Sequence, residues 1–312
     1  MGSPLPSEAT RDAGRAATIA GFRKALIVAN PIAGRGRSRS AARELSSGLA
    51  RLGIANDVHF TAGRGDARLH LRARGPGDDL VVAVGGDGTV SEVLDGLVDR
   101  AIPVAILPMG TGNVMSLDLA LPRDVDRALE MIAHGRVTAL DVARVNRRHL
   151  SFLVTGVGFD AMVVRELERR RKGPISKAAW TRAGMHALWD YPPATRLEVE
   201  IDGERLPGTY GAVLASNVIH YAGVRCLAGD RRLDDGLFEV YLFEKSSRYG
   251  LLTYAVRGFL RGLPGGSCVR RLARRVRVAS ETPVPYHVDG DYKGETPVDV
   301  EVSTHQFRLV IP

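Results

Sequence analysis

The chain has 312 residues, 45% of them hydrophobic and 25% charged, which is enough for one large or two medium domains with real cores. A net charge of +8 favours anionic partners such as nucleotides, nucleic acid or acidic membrane surfaces. Two cysteines, Cys226 and Cys268, and eight scattered histidines exclude a disulfide framework and a cysteine-based metal centre.

Residues 1–20 are small, polar and aperiodic, and are expected to form a disordered tail without the apolar core of a secretion signal. The start Met1-Gly2 matches a myristoylation signal only in part, because Pro6 stands where Ser or Thr is needed. The apolar run 25–29 predicts a buried strand that ends in the turn Asn30-Pro31-Ile32-Ala33-Gly34. A helix follows, with Leu45, Leu49 and Leu52 on one face and Gly53 as its stop. Residues 58–61 predict a second strand. The clearest strand is 80–84, which runs into Gly85-Gly86-Asp87-Gly88-Thr89. Beyond it, Val90, Val93, Leu94, Leu97 and Val98 form an amphipathic stripe. A strand over 102–107 leads into Gly110-Thr111-Gly112-Asn113, and residues 122–134 read as a further helix. This alternation predicts an α/β doubly wound N-terminal domain over residues 21–140, built on a parallel sheet.

After residue 140 the pattern changes. Segments 142–145, 150–157, 196–201, 210–216, 237–243, 276–279 and 298–302 read as strands, separated by turn signals such as Asp202-Gly203, Asp235-Gly236 and Asp289-Gly290. Helical stretches interrupt near 160–190 and 246–263. A β-rich, sandwich-like and antiparallel C-terminal domain over 141–312 is expected. No apolar run approaches the ~18 residues that a membrane span requires, so a cytoplasmic protein is expected.

Three glycine-rich turns in succession, each fed by an apolar strand, suit a nucleoside triphosphate, because such strand ends bind phosphate. Gly85, Gly86 and Gly88 permit positive φ and let the backbone approach a ligand without interference from a Cβ. Thr89 and Glu92 have the spacing of a capping box, which would by itself account for both. A cap does not account for Asp87. A carboxylate beside phosphate repels it unless it holds Mg²⁺ or handles a proton. Arg35 and Arg37 could neutralise a transferring phosphate or lie solvated on the surface. Asn113 could simply cap its helix. Neither the Walker A spacing nor the dinucleotide fingerprint is present, which favours phosphoryl over hydride transfer.

Together these turns resemble the catalytic domain of the diacylglycerol kinase and sphingosine kinase superfamily, most of all the bacterial soluble lipid kinases. The resemblance spans residues 23–310 and includes Arg231-Arg232-Leu233-Asp234-Asp235-Gly236 and Val288-Asp289-Gly290-Asp291. It implies ATP bound between an α/β domain and a β-sandwich domain. The implied nucleotide contacts are Asn30, Pro31, Ile32, Ala33, Gly34, Thr61, Gly85, Gly86, Asp87, Gly88, Thr89, Val90, Ser91, Glu92, Gly110, Thr111 and Asn113. Asp141 matches an acidic residue near the family's active site. Arg232, Asp235 and Leu237 resemble a structural Mg²⁺ site with two main-chain carbonyl ligands, although Asp234-Asp235-Gly236 also reads as a hairpin turn. The family's Asp-Gly-Glu motif becomes Asp289-Gly290-Asp291, one methylene shorter at its third position. The general base is therefore left among Asp87, Asp289 and Asp291.

The implied reaction is ATP-dependent phosphorylation of a lipid hydroxyl, diacylglycerol or a related lipid, with Mg²⁺ as cofactor. A lipid substrate requires peripheral attachment to an anionic membrane surface. Leu251, Leu252, Val256, Phe259, Leu260 and Leu263, with Arg257, Arg261, Arg270, Arg271, Arg274, Arg275 and Arg277, are the expected attachment region. Arg165, Arg169, Arg170, Arg171 and Lys172 form a second basic cluster that reads equally as a solvated helix face. A homodimer through a sandwich edge is possible. The competing readings are an NAD kinase-like enzyme and a non-catalytic nucleotide- or nucleic-acid-binding module. The chain lacks the interleaved aromatics of single-strand binders, so no nucleic acid is expected.

Overall fold

Strand Leu80–Gly85 is buried at every position, as its unbroken apolar run requires of a strand covered on both faces. The computed structural model describes residues 17–18, 21–170, 177–191, 195–221, 224–225, 227 and 232–312. The first domain begins with β1 (Ala17–Thr18), β2 (Lys24–Ala29), α1 (Arg37–Arg51), β3 (Ala55–Phe60) and α2 (Asp66–Ala73). It continues through β4 (Leu80–Gly85), α3 (Asp87–Gly96), β5 (Val104–Pro108), α4 (Val114–Asp118), α5 (Val125–His134) and β6 (Arg136–Leu140).

The second domain holds β7 (Ala143–Val145), β8 (His149–Ser151), β9 (Val154–Val157), α6 (Phe159–Arg170), α7 (Lys177–Asp190), β10 (Glu198–Ile201), β11 (Glu204–Arg205) and β12 (Ala212–Ser216). Then come β13 (His220–Tyr221), β14 (Val224–Arg225), β15 (Phe238–Phe243), α8 (Arg248–Arg261), β16 (Cys268–Ala273), β17 (Arg275–Ala279), β18 (Pro285–Val288), β19 (Asp291–Glu295) and β20 (Val298–Val302). The chain closes on β21 (Phe307–Ile311).

The first sheet has the order β1-β6-β21-β5-β4-β2-β3. Its β3, β2, β4 and β5 pair in parallel, with α1 and α5 packed together and α2 and α3 packed together. One flank departs from the all-parallel expectation, since β6 pairs antiparallel with β21 and β1 antiparallel with β6. The second domain does not run unbroken to residue 312. The final strand returns to the first sheet, burying Phe307, Leu309 and Val310 beside β5 and β6. It lies between β6 and β5, paired on both sides, which suits a strand whose apolar residues are buried. Ala17–Thr18 likewise adds to that sheet, within the segment expected to be disordered.

Between the two crossings lies an antiparallel sandwich of two six-stranded sheets, β11-β10-β17-β20-β7-β8 and β16-β15-β12-β9-β18-β19. Its core is dominated by β-branched side chains, among them Val199, Val213, Val240, Val276, Val278, Val298 and Val300. Alternation of buried and exposed positions along β17 turns its valines inward and its arginines outward. The expected helix near 160–190 is two helices, α6 and α7. The hairpin expected at Asp202-Gly203 is present, both residues having positive φ as a two-residue turn demands.

Candidate active site

Because β2, β4 and β5 are parallel neighbours, the turns leaving their carboxyl ends lie side by side. Main-chain hydrogen bonds lace them together. The Asn30 amide donates to the Val84 carbonyl at 3.0 Å, and the Met109 amide to the Gly85 carbonyl at 2.8 Å. Gly34, at φ 60°, brings the first turn against the third, where an added Cβ would stand 3.2 Å from the Met109 carbonyl oxygen. Thr61 joins the row through its amide, which donates to the Ala29 carbonyl at 2.9 Å.

The glycines of the second turn are required for space rather than for positive φ. Gly86 has φ −95°, and neither Gly85 nor Gly88 lies in the left-handed region. A Cβ on Gly110 would stand 2.5 Å from the Gly86 Cα, and one on Gly85 would stand 2.4 Å from Thr89 Oγ1. Nothing stands near Gly88, which is open to a ligand. The capping box is replaced by a different arrangement. Helix α3 starts at Asp87 with Gly86 as its N-cap, and Thr89 is a buried residue of its first turn. Glu92 reaches back across the domain, where its Oε1 accepts the Gly65 amide at 2.7 Å. Val90 is buried, and Ser91 lies half-buried beside it.

Asp87 lies half-buried between the second and third turns. The Val114, Met115 and Asn113 amides lower its proton affinity, but burial outweighs them and pushes the carboxyl above its ordinary range. Asn113 does not cap α4 through its side chain. It brackets Gly110 instead, accepting from the Gly110 amide at 2.9 Å and donating to the Gly110 carbonyl at 2.7 Å. Thr111 and Ile32 are exposed, with Pro31 and Ala33 half-buried between the first and third turns' edges. Arg35 and Arg37 are exposed, and Arg37 Nε donates to the Gly34 carbonyl at 3.1 Å.

The two carboxylates of the downstream motif part company. Asp289 and Gly290 both have positive φ and form the tight turn between β18 and β19. The Asp289 side chain turns inward and accepts from Ser151 Oγ at 3.0 Å and from the Phe152, Leu153 and Val154 amides at 3.0, 3.0 and 2.9 Å. Burial pushes this carboxyl up to about 6 in spite of its four donors. Both Asp289 oxygens are thus engaged within the second domain. Asp291 points the other way. Its Oδ2 lies 2.6 Å from an Arg64 guanidinium nitrogen and 3.2 Å from Lys293 Nζ. Arg64 belongs to the turn after β3, so this ion pair crosses from the first domain to the second.

Asp118 adds to the contact between the domains, and Asp141 fixes the segment that connects them. Asp118, at the end of α4, accepts the Ile219 amide at 2.8 Å and the His220 amide at 3.1 Å. Buried Asp141 accepts from the Gly236 amide and from Gln306 Nε2, each at 2.7 Å, and burial raises its carboxyl. The Asp234-Asp235-Gly236 segment wraps this residue and is not a hairpin between paired strands. Asp235 accepts the Leu237 amide at 3.1 Å, and exposed Arg232 faces Asp234 at 3.4 Å. Among the described residues, no three His, Cys, Asp or Glu side chains converge as a metal cage.

Sequence reasoning missed a polar cluster in the second domain. Asp160, at the start of α6, accepts from His287 Nε2 at 2.8 Å and Tyr221 hydroxyl at 2.9 Å through Oδ2, while its buried Oδ1 has no hydrogen-bond partner among the described residues. The available signal was another apolar strand ending in glycine and an acid, Gly158-Phe159-Asp160. Arg64 and Glu168 were missed as well, and no local pattern marks either.

Comparison with known proteins agrees along nearly the whole chain. The family model for the diacylglycerol kinase catalytic domain matches residues 24–145, and that for the YegS C-terminal NAD kinase beta sandwich-like domain matches residues 153–311. Proteins named diacylglycerol kinase from Staphylococcus aureus strains RF122 / ET3-1 and MRSA252 are each 30% identical over 286 residues, covering 89% of this chain and 89% of theirs. A crystal structure titled as a diacylglycerol kinase from Bacillus anthracis str. Sterne superposes with a TM-score of 0.71 at 21% identity, covering 93% of this chain and 97% of that one. A second chain from the same organism reaches a TM-score of 0.76 at 22% identity, over 94% of this chain and 99% of that chain.

Proposed function

The chain belongs to the diacylglycerol kinase catalytic-domain family, a family of kinases, and from that premise we propose that it transfers the γ-phosphoryl group of ATP to a lipid hydroxyl. Diacylglycerol or a related lipid is the acceptor. The observation that carries this reading is the meeting of the carboxyl-end turns of the first domain with Asp291 of the second, through Arg64. In open α/β sheets such strand ends are where phosphate is bound.

The residues fit a triphosphate. Gly86 and Gly110 leave no room for a side chain between the second and third turns, while Gly88 opens the start of α3 to an anion. Asn30 to Gly34, Thr61, Gly85 to Glu92, Gly110, Thr111 and Asn113 are the proposed nucleotide-binding set. Mg²⁺ fits as an ion that arrives with the phosphates, since it takes one or two carboxylates and otherwise phosphate and water oxygens. When bound it would neutralise charge on the transferring group, with Asp87 as its protein ligand. Asp235 with the Arg232 and Leu237 carbonyls is the proposed second, structural position, and such an all-oxygen donor set suits a hard cation.

Positioning and charge neutralisation dominate phosphoryl transfer. In the proposed step the lipid hydroxyl oxygen bonds to the γ-phosphorus, the bond from that phosphorus to the β–γ bridging oxygen breaks, and ADP leaves with the electron pair. The hydroxyl proton passes to Asp291, whose carboxylate is the accessible one of the three candidates. Asp160 Oδ1, without a hydrogen-bond partner among the described residues, would accept a hydrogen bond from the lipid head.

Membrane attachment is the other requirement, because among the described residues no helix is long and apolar enough to cross a bilayer. Helix α8 supports it through an inverted face. Tyr249, Leu252, Val256 and Leu260 recur at helical spacing on its outer side, with Tyr249 84% and Leu260 69% exposed, while Leu251 and Tyr254 face the core. The neighbouring α7 exposes Met185 and Trp189, and Arg248 lies 5.2 Å from the Trp189 ring centroid. Arg261, Arg271, Arg274 and Arg277 are exposed nearby in sequence. The arginine cluster is smaller than sequence suggests, because Arg270 pairs with Glu239 and Arg275 with Asp299. Leu263 is buried, and the Phe259 side chain lies outside the described residues. In the 165–172 cluster Arg165 pairs with Glu295, and Arg169 and Arg170 with Glu166, which supports its reading as a solvated face; Arg171 and Lys172 lie outside the described residues.

The test is incubation with γ-labelled ATP and Mg²⁺, with a lipid extract in one arm and NAD in the other. Label in a lipid product supports the proposal. Label in NADP alone, or in neither arm, rejects it.

A further inference from the structure

We propose that Arg64 is a positioning residue which reaches across from the first domain and holds the Asp291 carboxylate in register with the phosphate-binding turns. The inference rests on the kinase reading above and adds a part to it.

The turn carrying Arg64 is tied to the first domain on both sides. The Ala62 amide donates to Asp66 Oδ2 at 3.0 Å, and the Gly65 amide donates to Glu92 Oε1 at 2.7 Å. Glu92 stands on α3, the helix that Asp87 begins. Any shift of the second turn is therefore passed to Arg64 through one short covalent and hydrogen-bonded path. At the far end, the guanidinium meets Asp291 at 2.6 Å and lies 4.0 Å from Glu168 Oε1. Glu168 itself accepts the Tyr292 amide at 3.3 Å, and Lys293 approaches Asp291 at 3.2 Å. Two cations and two carboxylates thus meet where the domains face each other, and Arg64 is the member contributed by the first domain.

Asp291 needs such help. It follows a tight turn whose other acid is committed to the interior, and its side chain is short, so its carboxylate follows the backbone of β19 closely. Without a contact from the opposite domain, nothing on β19 relates that carboxylate to Gly86, Asp87 or Gly110. The ion pair is weak enough for the task. Arg64 is 63% exposed, and exposed pairs contribute little to stability, so the contact orients without locking the domains together. A misplacement of about 1 Å at a reacting group can cost on the order of 100-fold in rate.

The experiment compares wild type with Arg64→Met, Arg64→Lys, Asp291→Asn and the double variant Arg64→Met with Asp291→Asn, using γ-labelled ATP and mixed lipid vesicles. Thermal denaturation confirms that each is folded, and Arg64→Gln replaces Arg64→Met if the latter is not. Arg64→Met is expected to lower kcat about tenfold while the KM for ATP changes less than threefold, and Arg64→Lys to recover most of the loss. In the Asp291→Asn background the Arg64 change is expected to have no further effect beyond about threefold, because it acts through that carboxylate. Independent, multiplying losses overturn the inference. So does a raised KM for ATP at unchanged kcat, which would make Arg64 a phosphate ligand. No transfer by the wild type overturns the kinase reading itself, whereas an active wild type with an unaffected Arg64→Met overturns only the role of Arg64.

Discussion

Gly86 and Gly110 meet backbone to backbone, so closely that a Cβ on Gly110 would stand 2.5 Å from the Gly86 Cα and 2.8 Å from Asn113 Oδ1. Both neighbours are fixed, the first as main chain and the second by its paired hydrogen bonds to Gly110. Gly110→Ala will therefore push the second and third turns apart. The expected outcome is a loss of about 1–3 kcal/mol in urea denaturation together with at least a tenfold rise in the KM for ATP. An alanine variant with wild-type kinetics would remove the argument that these turns form one phosphate site.

Burial raises the Asp87 carboxyl above its ordinary range, and the pH dependence of stability takes its sign from that. The native state holds that carboxyl's proton more tightly than the unfolded chain, so stability falls as pH rises from the ordinary carboxylate value toward the raised one. Asp87→Asn should abolish transfer and make that slope shallower, the buried Asp141 and Asp289 carboxyls supplying the remainder, as measured by kinetics and by denaturation from the ordinary carboxylate range upward.

Asp289 has a different expected signature. Its replacement by alanine strands a hydroxyl and three amides that now converge on one carboxylate. The predicted cost is about 2–4 kcal/mol in chemical denaturation, with activity lost in proportion to the unfolded fraction. A stable but inactive Asp289→Ala protein would return Asp289 to the catalytic candidates.

Vesicle sedimentation tests the outer face of α8. Binding to vesicles rich in anionic lipid should weaken with salt, as attraction between exposed basic groups and an anionic leaflet requires. Leu260→Asp should weaken it at least tenfold without altering the melting temperature, because Leu260 is 69% exposed. Trp189→Ala should act in the same direction, since Trp189 is 74% exposed. Equal affinity for neutral vesicles would count against this surface.

Much of the local order was legible in the chain itself. Continuous apolar runs, each leading into a glycine-containing turn, identified β2, β4 and β5, because a strand buried on both faces can tolerate no polar interruption. The order of those runs, each followed by a helix, was sufficient for a doubly wound domain. Asp87 stood out for a similar reason, as an acid where a phosphate turn would otherwise exclude one.

Tertiary structure alone decided the rest. Whether Phe307–Ile311 joined the nearby sandwich or the distant first sheet depended on the slot between β5 and β6, a property of the folded sheet. The fates of Asp289 and Asp291, two residues apart, were settled by a turn that sends one carboxylate into a ring of amides and the other toward a cation. That cation, Arg64, lies more than two hundred residues earlier in the chain. Local sequence encodes what a segment buries and where it bends, because those follow from side-chain transfer and backbone sterics. Which distant charge an exposed carboxylate meets depends on how two domains are set against each other, and no short stretch of residues contains that information.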